Sequence, residues 1–274
     1  MEALQQPWFD GMHGVQGERY MEEPKKRCTA VVLAAGSGRR MHSDTAKQFM
    51  MLLGKPLIWY SLQAVEQSEI IDDCLLVTGE SDIPFVRENI VKKYGFHKVT
   101  DVIAGGDERY VSVGNAMKYI AEDRFPMSNG DGYIFIHDGA RPFLTEEILQ
   151  NTYEAVREYG ACVAAVPSKD TVKIADEQGF AVSTPDRRLV WNIQTPQVFE
   201  TKLITAAYAK LERELPKLNR QGVTVTDDAS VVELFTDHRV KLALGAYENI
   251  KITTPEDIGT AEGFLGRLKT EKEQ

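Results

Sequence analysis

Residues 29–41 read Thr-Ala-Val-Val-Leu-Ala-Ala-Gly-Ser-Gly-Arg-Arg-Met. From 30 to 35 the side chains are small or branched and uninterruptedly apolar, the pattern of a strand buried on both faces. Gly36 and Gly38 then break the run at the end where open α/β sheets bind ligands. Without Cβ atoms, backbone N–H groups at such a turn can close on phosphate oxygens. Arg39, Arg40 and Lys47 add positive charge close by. Together these features predict a polyphosphate loop at the end of a buried strand.

Other loops of this kind fit less well. A dinucleotide site calls for G-x-G-x-x-G and an acid about 20 residues on. Here Met41 occupies the third glycine position and residues 55–60 carry no acid. The G-x-x-x-x-G-K-[ST] phosphate loop is also absent. An ordinary turn with solvated arginines is the remaining reading of the loop taken alone.

The 274 residues suffice for one large α/β domain or two small ones, and 43% hydrophobic with 27% charged residues describes a globular protein. No apolar run reaches the ~18 residues of a membrane span. A net charge of −9 argues against a nucleic-acid partner, though cations can still cluster around a small anion. Cys28, Cys74 and Cys162 are odd in number and form no C-x-x-C. Cys74 and Cys162 sit in apolar runs that predict core packing, in keeping with a reducing cytoplasm. None of the five histidines forms an H-E-x-x-H pair.

Residues 1–27 show no periodicity and fit neither a secretory signal nor a transit peptide. The expectation is a disordered leader or a misplaced start, with Met21 a candidate first residue. Beyond them, strand and helix patterns alternate. Strands are predicted at 74–78, 99–103, 133–136, 161–166, 240–244 and 249–253. Helices are predicted after Pro56, from Pro84, through Val113, Met117 and Ile120, after Thr145, over 200–215 and 227–235, and from Thr254 onward. This order predicts an α/β fold with a mostly parallel, doubly wound, Rossmann-like sheet. A single domain would span 28–270. Within it, 168–190 alternates around Asp176-Glu-Gln-Gly179 as a two-stranded arm. An isolated hairpin has too little core to stand alone, so the arm is expected to pack on another subunit.

Three further groups carry polar residues at or within predicted strands. Gly105-Gly106-Asp107 with Ser112 reads equally as a binding loop or as a plain turn and helix cap. His137-Asp138-Gly-Ala-Arg141 places a carboxylate where a magnesium ligand belongs, or else forms a surface ion pair of little consequence. Lys251, between Ile250 and Ile252, points away from both, and on residue type alone is a solvated strand lysine.

The spacing of Ala34-Ala-Gly-Ser-Gly-Arg-Arg-Met41 and Ala46-Lys-Gln-Phe49 resembles the sugar-phosphate nucleotidyltransferases, and most closely the 2-C-methyl-D-erythritol 4-phosphate cytidylyltransferase family of non-mevalonate isoprenoid synthesis. Gln194-Thr-Pro-Gln197 and Thr226-Asp-Asp-Ala-Ser230 extend the resemblance over 29–260. It implies that Ala34, Ala35, Gly36 and Gly38 hold the nucleotide phosphates, and that Gly106, Asp107 and Ser112 read the cytosine. Arg40, Lys47 and Lys251 would act on the reacting phosphates, and of the adjacent Arg39 and Arg40 only one need point inward. Asp138 would face the metal and, with Arg141, the sugar phosphate. Thr171 and Arg187 would reach the partner's sugar-phosphate site from the arm. The implied ligands are CTP, a sugar-alcohol phosphate and Mg²⁺ or another divalent cation. The implied assembly is a cytoplasmic homodimer.

Such chemistry needs no general base. A phosphate monoester is already anionic near neutrality, its second pKa being about 6. What must be overcome is repulsion between two phosphorylated reactants, by cations that hold them in line. Ribitol-5-phosphate cytidylyltransferase shares the glycine loop, Lys47-Gln-Phe49 and Gln194-Thr-Pro-Gln197. It differs at Lys169-Asp-Thr-Val-Lys173, Leu189-Val-Trp191 and Asp227-Asp-Ala-Ser230. It stays as an alternative, beside a non-catalytic nucleotide-binding protein on the same fold and an NAD-dependent oxidoreductase, which Met41 and the missing acid disfavour.

Overall fold

The computed structural model of the chain describes residues 24–36, 46–122, 125 and 130–272. The leader through residue 23, and Gly38, Arg39 and Arg40 of the glycine loop, lie outside the described residues.

In chain order the elements are β1 (Cys28–Ala34), β2 (Met51–Leu52), β3 (Lys55–Pro56), α1 (Leu57–Gln67), β4 (Asp73–Thr78), α2 (Ile83–Phe85), β5 (Val99–Ala104), α3 (Arg109–Ala121), β6 (Tyr133–Asp138), α4 (Glu146–Tyr159), β7 (Ala161–Pro167), β8 (Ile174–Ala175), β9 (Ala181–Ser183), β10 (Trp191–Glu200), α5 (Thr201–Arg220), α6 (Asp228–Phe235), β11 (Lys241–Leu244) and α7 (Pro255–Lys272). A short turn of helix at Lys47–Phe49 precedes β2. The helix expected from Pro84 begins as α2 and widens into a π-type stretch over Val86–Lys92.

Seven strands form one sheet in the order β11-β7-β10-β6-β1-β4-β5. All neighbours run parallel except around β10, which is antiparallel to both β6 and β7. The fold is thus the mostly parallel α/β sheet expected. Helices cover both faces because alternate strand residues turn to opposite sides. Ala30, Val32, Cys74, Leu76 and Phe135 pack with Ile58, Leu62, Val86, Ile90 and Ile148 on one side. Val31, Leu75, Val77, Ile134 and Ile136 pack with Val113, Met117, Ile204, Leu211 and Val232 on the other. The β1 residues are buried apart from the half-buried Leu33, which is why 30–34 needs no polar face. All three cysteines are buried and free, as core packing requires.

The structure departs from the sequence reading at three places. Asn249–Thr253 is irregular backbone rather than a strand. Its N–H and C=O groups go to loops and side chains, with Ile252 N donating to the Ala140 carbonyl (2.9 Å). The expected alternation survives nonetheless, with Ile252 buried and Lys251 turned to a cleft. Second, β10 was not anticipated, because Gln194, Thr195, Pro196 and Gln197 look like loop residues. Third, the arm's ladder is shorter than the alternating pattern, with Val172 outside it. The arm stands out from the sheet, with Phe180 69% and Leu189 80% exposed.

Candidate active site

A cavity of about 130 Å³ opens at the carboxyl ends of β1, β5 and β6. It is lined by Ala34, Ala35, Gly36, Lys47, Gly106, Asp107, Ser112, Asp138 and Lys251 from the sequence-predicted set. Leu33, Gln48, Glu108, Arg109 and Ala140 complete the lining. Glycines, lysines and a carboxylate distant in sequence therefore meet where a doubly wound sheet places its ligands.

Gln48 fixes the first wall. Its side chain is buried and its amide donates to the Ala34 carbonyl at the end of β1. The Lys47-Gln-Phe49 motif is thereby anchored, and Lys47 is carried to the mouth of the cavity. Its ammonium donates to the Ile252 carbonyl (3.2 Å).

The second wall is the turn after β5. Gly105 N donates to the Thr78 carbonyl (2.7 Å). A Cβ on Gly105 would stand 2.4 Å from the Ala35 Cβ and 2.7 Å from Ser112 Oγ, closer than atoms can approach. The glycine is thus required by close packing of this turn against the strand end. Ser112 Oγ accepts from Gly106 N (3.1 Å) and lies 3.3 Å from the Gly106 carbonyl oxygen.

Asp138 ends β6 on the cavity floor, 6% exposed. Lys251 Nζ lies 2.7 Å from one carboxylate oxygen and Arg109 Nε donates to the other (3.1 Å). Arg141 Nε stands 3.9 Å away. Burial alone would push this carboxyl up, but Arg109, Lys251 and Arg141 together hold it well below the usual carboxylate range. It therefore stays ionised at any working pH.

Beneath it, Thr195 Oγ1 accepts from Asp138 N (3.1 Å) and meets His137 Nδ1 (3.0 Å), while His137 Nε2 faces the Arg141 carbonyl (3.2 Å). These bonds are all satisfied by a neutral ring with the proton on Nε2. Burial pushes the His137 pKa down to about 4. His137 supports the floor and carries no charge into the cleft.

Arg141 does not line the cavity. Its Nη1 donates to the Asn249 carbonyl (2.7 Å). Asn249 is wholly buried, and its amide donates to the Thr195 carbonyl (2.8 Å). Arg141 and Asn249 thus fasten the irregular segment that presents Lys251. At its far end, the Asp257 carboxylate accepts from Thr253 N (2.7 Å) and Thr254 N (2.9 Å).

Thr171 and Arg187 lie on the exposed arm, away from the cavity lining of their own chain. Arg187 Nη1 reaches the Lys169 carbonyl (3.4 Å).

Two residues were missed by the sequence reading. Arg109, which no motif in the sequence singles out, opens α3 and lines the cavity. Its Nη1 and Nη2 donate to the two oxygens of Asp228 (2.9 and 2.7 Å), a residue with no exposure. Asp228 begins α6 behind its N-cap Asp227, where a capping box with Ser230 closes the first turn. Gln197 of β10 fixes the same helix start, its side-chain Oε1 accepting from Asp228 N (2.9 Å) and Ala229 N (3.0 Å). The one available signal was Thr226-Asp-Asp-Ala-Ser230 as a block, which does not name its partner.

The cavity therefore offers a glycine-lined rim, the three basic side chains of Lys47, Arg109 and Lys251, and the buried carboxylate of Asp138 at its floor. That combination can hold a polyphosphate and withdraw charge from it.

The comparisons agree with that chemistry. The family description "IspD: 2-C-methyl-D-erythritol 4-phosphate cytidylyltransferase" matches residues 28–267. A protein of that name from Lachnospira eligens is 47% identical over 237 residues, covering 86% of this chain and 98% of its own. One from Lachnoclostridium phytofermentans is 44% identical over 240 residues, 88% of this chain and 97% of its own. The crystal structure of a 4-diphosphocytidyl-2C-methyl-D-erythritol synthase from Anaerococcus prevotii superposes with a TM-score of 0.74 at 35% identity, covering 88% and 97% of the two chains. Matched over residues 28–267, and 47% identical to a relative that it covers almost end to end, the chain belongs to the IspD family of 2-C-methyl-D-erythritol 4-phosphate cytidylyltransferases.

Proposed function

We propose that the cavity at the end of β1 is where this cytidylyltransferase joins CMP from CTP to the phosphate of 2-C-methyl-D-erythritol 4-phosphate, releasing pyrophosphate. The ribitol phosphate alternative has no support from the family match. The observation that carries the site assignment is the meeting of Lys47, Lys251, Arg109 and Asp138 beside Gly36 and Gly106.

In this reading the backbone at Ala34, Ala35, Gly36 and Gly38 cradles the triphosphate. Gly106, Asp107 and Ser112 face the cytosine, where a paired polar edge would reject bases lacking the exocyclic amine. Lys47, Lys251 and Arg40 draw charge from the α-phosphate as the incoming phosphate oxygen attacks and pyrophosphate leaves. No side chain needs to remove a proton, because the attacking oxygen is already anionic. Arg141 supports this arrangement from below through Asn249.

Among the described residues no group of three His, Cys, Asp or Glu side chains could hold a metal unaided. Asp138 does fit an ion that arrives with the triphosphate, since Mg²⁺ takes one or two carboxylates and completes its shell with phosphate oxygens and water. Mg²⁺, or another divalent cation, would there neutralise charge on the phosphates. Asp138 is the residue that would hold it.

We assign Thr171 and Arg187 to the sugar phosphate of a second copy's cleft. The supporting observation is the arm's apolar surface, with Phe180, Val182 and Leu189 exposed on one chain. The proposed assembly is a homodimer joined through the arms. Among the described residues no helix is long and apolar enough to cross a membrane, and the proposed location is the cytoplasm. The test is pyrophosphate release from CTP with the methylerythritol phosphate against ribitol 5-phosphate. Turnover with the first alone is expected, and turnover with neither would remove the reading.

A further inference from the structure

Tyr208 lies on α5, outside the cavity lining, yet its hydroxyl donates to Asp228 Oδ1 (2.6 Å). The same carboxylate grips Arg109, and Arg109 Nε grips Asp138. Four groups on α5, α6, α3 and β6 thus form a continuous hydrogen-bonded line from one helical layer to the cavity floor. Its inner members are shielded from water, Tyr208 being 4% exposed and Asp228 not at all. Burial first, and the adjacent Asp228 charge second, push the Tyr208 phenol well above its ordinary value, so it stays a donor.

We propose that Tyr208 is a positioning residue for cytidylyl transfer, acting through Asp228 to fix the guanidinium of Arg109 against Asp138. This rests on the reading of the cavity as the transfer site. The physical ground is geometric. A carboxylate held only by Arg109 can rotate with it, whereas a third bond from a rigid, packed phenol removes that freedom. Arg109 carries five N–H donors in a fixed fork. Three are committed to Asp228 and Asp138, and the direction of the remaining two, on a side chain that lines the cavity, follows from those three. Bonds to charged groups in a shielded site are the strong ones. Loss of Tyr208 Oη would therefore be felt in the transition state more than in nucleotide binding.

The test is a double-mutant cycle on the full chain, with rates normalised to the fraction of protein that binds CTP so that partial unfolding cannot imitate the effect. Tyr208→Phe is expected to lower kcat about tenfold, the scale of one hydrogen bond to a charged group, with the KM for CTP within about twofold. Asp228→Asn should lose more, and Tyr208→Phe added to it should cost nothing further. Multiplying losses, or a Tyr208→Phe protein with wild-type kcat, would overturn the relay while leaving the transfer reaction in place. A wild-type protein without turnover would overturn the reading of the cavity itself, and the relay with it.

Discussion

The ammonium of Lys47 sits 3.2 Å from the carbonyl oxygen of Ile252, the residue that follows Lys251. Two basic groups from opposite ends of the chain are thereby held against one peptide segment, across 205 residues of sequence. That segment has no strand partner. Its position is set by Arg141 and Asn249 at one end and Asp257 at the other.

Lys47→Ala should lower kcat by ~10²-fold or more, the scale of removing one preorganised donor from a transition state. The lysine is only half-buried, so the melting temperature should stay within a few degrees of the wild type. Steady-state kinetics and thermal melts on the same preparation check both halves. A variant within a few-fold of wild-type activity removes Lys47 from the chemistry.

Arg187→Ala should act on the sugar phosphate rather than on CTP, raising its KM. Mixing and re-equilibrating that variant with Lys47→Ala should restore about a quarter of wild-type activity, because half of randomly paired dimers are mixed and each regains one site of two. Silence after mixing would mean that each site is built from one chain.

Gly105→Ala should cost about 1–3 kcal/mol of stability through overpacking and should weaken CTP binding. The new methyl would fall 2.4 Å from Ala35 and 2.7 Å from Ser112 Oγ, so both walls of the cavity must move apart. Calorimetric titration with CTP reads this directly. Unchanged affinity would show that the contact has no bearing on the nucleotide.

Stability should fall as acid is added, before ordinary carboxylates titrate. The His137 pKa is lowered from 6.5 to about 4, so between those values the unfolded chain takes up a proton that the folded chain refuses. The sign follows: the contribution is intact above about pH 6.5 and is lost progressively as pH falls toward 4, amounting to about 3 kcal/mol. Asp138, held low in the fold, adds a further loss below the ordinary carboxylate range. Chemical denaturation at stepped pH measures the slope, and a flat profile from pH 6.5 to 4 would contradict it.

How much of this was legible beforehand depended on whether a residue's partners were apolar or polar. The β1 strand declared itself as an uninterrupted apolar run and the helix carrying Val113, Met117 and Ile120 through its spacing, because apolar burial leaves its mark along the chain. β10 did not. Gln194, Thr195 and Gln197 are buried by specific bonds to Ala246, Asp138 and the start of α6, and such bonds leave no periodic trace. Arg109 was hidden for the same reason, its carboxylate partner standing 119 residues away. Lys251 was placed on the correct face but on the wrong element, since a loop tied down by side chains can alternate like a strand.

The arm leaves the sheet at Pro167 and returns at Trp191, residues paired in register, with Ser168 N bonded to the Val190 carbonyl (2.8 Å). Its two feet are therefore stitched side by side, and the two strands of the arm pair with each other in a ladder separate from the main sheet. Natural variation could lengthen, trim or re-sequence that excursion without taxing the core. On the proposed assignment of Thr171 and Arg187 to the sugar phosphate, a lineage would then be free to retune which polyol it accepts while inheriting its nucleotide chemistry intact.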